Sequence, residues 1–315
     1  MAPDISVVVV SLGGTNYLVR CLTALTHQRR APILEIIVPC DASLGDLSAL
    51  ETRFPTVQFL AASGRRTYAE LRAHGFRNAR GSIIALTEDH CTPDPDWGAS
   101  IREEHSASHG AVGGAVEKQI PDSLLNWAVY LCDFSRYMNP VSDGAAHYLT
   151  DCNVSYKRTA LASIADLWRD EFHETTVNWA LRARGESLWL SPRIIVRQQR
   201  SLRLSYALWE RYAFGRLFAK TRGEVVSMPS RIKYAGGAFL LPAILIGRIA
   251  LNVFRKGRAR WIFSKSLPAI TILTVVWAWG ELVGYITGRS DSMLEPRPQE
   301  TESRAQHDRT LTHDL

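Results

Sequence analysis

The stretch Thr87-Glu88-Asp89-His90-Cys91-Thr92-Pro93-Asp94 decides how this sequence is read. It follows the apolar run Ser82-Ile83-Ile84-Ala85-Leu86, which has the length and composition of a short buried strand, and it enters a proline-rich turn that ends at Trp97. Two carboxylates and an imidazole therefore sit at a strand's exit. In an open α/β sheet, ligands bind outside the carboxyl ends of the strands, and acidic side chains there suit a divalent cation and a phosphorylated ligand. A plain acidic turn that binds nothing is the alternative.

Working outward, Ile5-Ser6-Val7-Val8-Val9-Val10 is a β-branched strand candidate that runs through Ser11-Leu12-Gly13-Gly14 into the amphipathic stretch 17–25. Residues 33–38 and 57–60 read as second and third strands, and 67–78 as a helix leading to the fourth strand at 82–86. This β-α alternation predicts a mostly parallel sheet covered by helices. From 111 to 168 the pattern is less regular, with 149–156 expected to return a strand to the sheet. Residues 172–185 read as a helix closed by Gly185, and 187–190 and 194–196 as two short strands around Pro192.

At 315 residues the chain holds one large or two modest domains. Its net charge of +6 is unevenly spread, since Glu210 and Glu224 are the only acids between Arg197 and Lys265. That asymmetry points to an anionic partner surface. Membrane lipid is expected rather than nucleic acid, because the basic residues adjoin long apolar segments. Five cysteines, Cys21, Cys40, Cys91, Cys132 and Cys152, show no C-x-x-C spacing and predict reduced thiols rather than a zinc site or a disulfide frame. Residues 1–14 carry Asp4 and no basic n-region, and read as a first strand, not a signal peptide.

After Arg197 the character changes. Arg200, Arg203, Arg211, Arg216, Lys220 and Arg222 alternate with Leu204, Tyr206, Trp209, Tyr212, Phe214 and Phe218, which suits a helix at a membrane interface or one packed on the domain. Two apolar stretches follow, 234–254 and 267–288, each near the ~20 residues that cross a bilayer core. Two spans would place the basic loop 255–260 opposite the catalytic domain, against the positive-inside rule. A re-entrant hairpin therefore stands beside the spanning one. The expected divisions are 1–200, a catalytic domain; 201–230, a basic and aromatic interfacial helix; 231–288, a membrane-associated helical hairpin; and 289–315, a polar disordered tail.

Together these segments resemble a family 2 glycosyltransferase. The carriers are Ile5-Ser6-Val7-Val8-Val9 with Tyr17-Leu18-Val19-Arg20-Cys21-Leu22, then Ala69-Glu70-Leu71-Arg72-Ala73-His74-Gly75 and Asn78-Ala79-Arg80-Gly81. Glu88-Asp89-His90 stands at the family's D-x-D cluster, and Pro93-Asp94-Pro95-Asp96-Trp97 resembles its continuation. The resemblance covers roughly residues 4–200. It implies an α/β GT-A fold, a nucleotide-sugar donor, inverting transfer and a divalent cation, Mn or Mg, that neutralises the diphosphate. By the same resemblance Asp89 and His90 are the metal ligands, the imidazole favouring Mn²⁺, with a metal-free turn imidazole as the other reading of His90. Ser11, Asp41, Arg72, Glu88 and Asp89 fall on the nucleotide-sugar side; Arg72 either meets the diphosphate or makes a helix-surface salt bridge.

The family's base is usually the second acid of a pair opening a helix that ends Leu-Arg-x-x-Gly. The matching residues are His173-Glu174 and Leu181-Arg182-Ala183-Arg184-Gly185, so Glu174 is the implied base. Asp151, Asn153 and His173 lie on the acceptor side, Asn153 alternatively as a buried turn residue. Two departures stand out: Cys40 occupies the place where an acid commonly holds the nucleoside, with Asp41 one later, and a Q-x-x-R-W motif is absent, which favours single-sugar transfer. The implied acceptor is a lipid-linked or cell-surface glycan, at a cell membrane with the catalytic domain on the cytoplasmic face. A polyprenyl-phosphate sugar synthase and a catalytically silent membrane scaffold are the alternatives.

Overall fold

In this computed structural model the described residues are 2–11, 14–30, 32–41, 44–120 and 122–289, so the tail read as disordered lies outside them beyond Arg289. They form two compact units, residues 2–117 with 141–199, and residues 118–140 with 200–289. The chain passes between the units after residue 117, after 140 and after 199.

In chain order the elements are β1 (Ile5–Val10), α1 (Thr15–Thr26), β2 (Leu34–Cys40), α2 (Ser48–Arg53), β3 (Val57–Ala61), α3 (Tyr68–Asn78), β4 (Ile83–Glu88), β5 (Cys91–Pro93), α4 (Trp97–Glu104), β6 (Ala111–Lys118), α5 (Leu124–Phe134), β7 (Gly144–Ala145), β8 (Asn153–Lys157), α6 (Arg158–Ala162), α7 (Glu174–Ala183) and β9 (Leu188–Gln198). The sheet order is β3-β2-β1-β4-β8-β6-β9-β5, with β7 on β9. The first four strands are parallel, and β8 is antiparallel to β4. The chain moves from β1 outward to β3 and then returns to the other side of β1, so the order reverses between β1 and β4. A ligand crevice belongs at that reversal.

Sequence chemistry explains why α3 serves this crevice. Thr67 caps α3 and Glu70 reaches back to the cap, a reciprocal capping box that fixes the helix start. Gly75 then lets the helix press on the sheet, because a Cβ there would lie 2.5 Å from Val8 Cγ1. Phe76, one residue on, packs in a buried aromatic cluster with Phe172, Trp168 and Tyr156. The two strands expected around Pro192 are one strand, β9. Pro192 falls between the part paired with β7 and the part paired with β5, so its missing N–H lies in a gap between those ladders.

The second unit contains α5 and four further helices, α8 (Leu204–Val225), α9 (Met228–Gly237), α10 (Leu241–Lys256) and α11 (Arg260–Thr287). Helices α8 and α11 meet backbone to backbone, since a Cβ at Gly215 or Gly280 would collide with a carbonyl of the other helix. The basic side chains of this region are largely engaged within the unit. Arg211 is bidentate to Asp133 of α5, and Arg200 grips Glu210 at 2.6 and 3.1 Å. Helix α8 is thus packed against α11 and α5. The first apolar stretch is broken at 238–240 into α9 and α10, bent by 73°. Only α11, among the described residues, is a single helix long and apolar enough to cross a membrane.

Candidate active site

The exit of β4 is tied on both sides. Glu88 pairs with Val10 of β1, and the Asp89 N–H carries the ladder one step further to the Val10 carbonyl at 3.1 Å. On the other side the Gln199 N–H donates to the His90 carbonyl at 2.8 Å, and Cys91 pairs with Gln198. Clamped between strands, Asp89 and His90 are 1% and 3% exposed. The Ser11 hydroxyl at the exit of β1 donates to Asp89 Oδ2 at 2.8 Å, so the two strand ends are joined through the side chains as well.

Arg72 projects from α3 into the same place and gathers three acids. Its Nη2 donates to Glu88 Oε1 and to Asp151 Oδ2, each at 2.7 Å, and its Nη1 lies 3.7 Å from Glu174 Oε2. The guanidinium is thereby buried among carboxylates. Burial pushes the Asp151 carboxyl above its ordinary range; Arg72 pulls the other way, and neighbouring Glu174 adds to the push.

The donor set fits a divalent cation. His90 Nδ1 is buried without a hydrogen-bond partner, 3.6 Å from Asp89 Oδ1. Two donors each about 2.1 Å from a shared ion stand roughly 3 to 4 Å apart. His90 Nε2 lies 3.3 Å from Glu88 Oε2, which orients the ring. No group of three or more His, Cys, Asp or Glu suited to a metal occurs among the described residues. Two protein donors would leave the remaining positions to phosphate oxygens and water, the usual manner of an ion that bridges protein and nucleotide.

Helix α7 brings Glu174 to the same place. Asn178 of this helix clamps the backbone of Leu149, its Oδ1 accepting from the Leu149 N–H at 3.3 Å and its Nδ2 donating to the Leu149 carbonyl at 3.0 Å. That clamp holds the flanking Tyr148 and Asp151 beside Glu174, the first residue of α7. The Tyr148 hydroxyl donates to Glu174 Oε1 at 2.7 Å and meets Thr175 Oγ1 at the same distance. One carboxylate oxygen of Glu174 is thereby occupied and Oε2 is left toward Arg72.

The other expected site residues divide. Asp41, past the end of β2, accepts from the Arg66 backbone N–H at 2.7 Å and braces the loop between β3 and α3. His173 caps nothing and faces Glu171 at 3.2 Å. Asn153, the first residue of β8, is fully buried: its Oδ1 accepts from Trp97 Nε1 at 2.9 Å, and its Nδ2 donates to the carbonyls of Ala115 and Ile194. Tyr148 and Thr175 were missed. Tyr148 stands 26 residues from Glu174 in an irregular stretch, and no local spacing relates the two.

This geometry meets its relatives at the family level. The family model for glycosyl transferase family 2 matches residues 6–164, half of the chain, and the chain belongs to that family. It is a nucleotide-sugar-dependent glycosyltransferase with a GT-A-like fold. A mannosyltransferase from Pyrobaculum calidifontis, solved with GDP-Man and Mn²⁺, is 15% identical, with a TM-score of 0.57 over 92% of this chain and 88% of that one. TarS residues 1–349 from S. aureus give 12% identity and a TM-score of 0.45, covering 91% of this chain and 92% of that one. GalNAc-T7, solved with UDP, GalNAc and Mn²⁺, gives 12% and 0.47, covering 64% of this chain and 44% of that one. A search of curated protein sequences returned no match.

Proposed function

We propose that the enzyme inverts the anomeric centre as it moves a single sugar from a nucleotide diphosphate to a lipid-linked or cell-surface glycan acceptor at a cell membrane, with its catalytic unit on the cytoplasmic face. The observation that carries this reading is the arrangement of Glu174 and Glu88 around Arg72, which ties the start of α7 to the exit of β4, where Asp89 and His90 follow Glu88 in the chain. Glu174 Oε2 takes the proton of the acceptor hydroxyl as its oxygen attacks the anomeric carbon. The bond to the diphosphate breaks on the opposite face. Asp89 and His90 would hold Mn²⁺ or Mg²⁺, which neutralises charge developing on the departing diphosphate. The solved mannosyltransferase with GDP-Man and Mn²⁺ supports the same donor chemistry. Ser11, Asp41 and Glu88 act on the donor side through the loops and carboxylates they fix. Asp151 and His173 border the acceptor. A lipid-linked acceptor is favoured by the apolar surface of the second unit.

Screening the protein in detergent with Mn²⁺ against a panel of nucleotide sugars, then reading the product's anomeric configuration by NMR, tests this. Turnover with an inverted anomer is expected; a retained anomer contradicts the mechanism, and a protein that binds no donor of the panel is a scaffold. Tyr148 is a positioning residue in this scheme. Tyr148→Phe should lower kcat about tenfold or more while donor Kd stays near wild type, because it frees Glu174 to rotate without touching the donor side. An unchanged kcat would remove Tyr148 from this role.

A further inference from the structure

Among the described residues, every exposed large hydrophobic side chain except Ile33 and Leu167 lies in the second unit. On α11 five of them, Trp261, Ile272, Val275, Trp279 and Ile286, fall within about 60° of one another at 100° per residue, a single apolar stripe along the helix. The opposite face, including Ile270, Leu273, Gly280 and Gly284, is buried within the unit. Along its C-terminal half lies α8, with Glu210, Arg211, Arg216, Lys220 and Arg222; Arg222 reaches the Tyr285 hydroxyl at 3.1 Å. If α11 crossed a hydrocarbon core, these charges would travel with it.

The bend between α9 and α10 repeats the pattern. Phe239 and Leu240 are 77% and 67% exposed at the break, and cationic Lys233 and Arg255 lie on either side. With Glu210 already paired to Arg200, little negative charge is left in this region to oppose an anionic surface.

Resting on the membrane-bound reading above, we propose that the second unit seats in one leaflet of an anionic bilayer without crossing it. Helix α11 lies in the interfacial plane with its stripe toward the acyl chains. The Phe239-Leu240 bend dips as a re-entrant wedge, and the flanking cations meet lipid phosphates.

Full-length protein carrying Trp261→Cys, Ile272→Cys or Ile286→Cys, each labelled with an environment-sensitive fluorophore, tests this on vesicles of phosphatidylcholine and phosphatidylglycerol. Unsubstituted protein labelled in parallel corrects for the native cysteines. Flotation reports binding, and lipids bearing nitroxides at set depths report position. In-plane seating predicts that the protein floats with the vesicles, less so at high salt, and that all three labels sit at one shallow depth. Flotation with Ile272 about 15 Å deeper than both end labels, the profile of a spanning helix, would overturn the in-plane seating and leave membrane binding standing. Failure to float would overturn both.

Discussion

Glu174→Gln is expected to lower turnover by about 10² to 10⁴, the usual contribution of one positioned general base, while donor and metal affinity stay near wild type. Glutamine retains an oxygen to accept from the Tyr148 hydroxyl, so the side chain keeps its place but cannot take the acceptor proton. Folding should be nearly unaffected, because Arg72 retains Glu88 and Asp151 at 2.7 Å and loses only the longer 3.7 Å contact. Steady-state kinetics beside donor titration separates the two effects. Unchanged turnover would move the base role to Asp151, which also pairs with Arg72.

Arg72→Met should have the largest effect on stability. The guanidinium is 10% exposed and is the shared counter-charge of Glu88, Asp151 and Glu174. Removing one partner of a buried ion pair typically costs about 3 to 5 kcal/mol, because the remaining charge is stranded. Methionine keeps most of the volume, so the loss read by chemical denaturation is electrostatic. Its pH dependence follows from the sign of the linkage. Burial already raises the Asp151 carboxyl, and without Arg72 its pKa rises further above the unfolded value. The folded state then binds protons more readily than the unfolded state, so the deficit should shrink as pH falls through the carboxylate range. A deficit that grows on acidification, or no deficit, would show that Arg72 does not hold this cluster together.

Much of the site was legible because it lies on regular elements. The β-branched run of β1, the helical stretch 67–78 and the acidic residues ending β4 carry local signals, and the reversal of strand order brings them to one end of the sheet. The turn's burial was not legible, since the ties come from Val10 and Gln199, which lie 79 and 109 residues away from their partners in sequence. The same limit hid α5: an 11-residue apolar helix reads as part of whatever precedes it, and its place beside α11 depends on contacts such as Ser266 Oγ with the Leu124 carbonyl, 142 residues apart. The partners of the basic helix α8 were hidden for a related reason: Asp133, which pairs with Arg211, comes from α5, 78 residues away in sequence.

In the proposed mechanism the acidic turn at the exit of β4 binds a nucleoside diphosphate through a divalent cation. The decisive measurement is calorimetric titration of the full-length protein with a panel of nucleoside diphosphates, in Mn²⁺ and then in EDTA, with Asp89→Asn titrated in parallel. Cation-mediated binding predicts that one diphosphate binds at least about tenfold more tightly with Mn²⁺, a difference of about 1.4 kcal/mol, and that Asp89→Asn abolishes the difference. Equal affinity with and without EDTA in the wild type would contradict it.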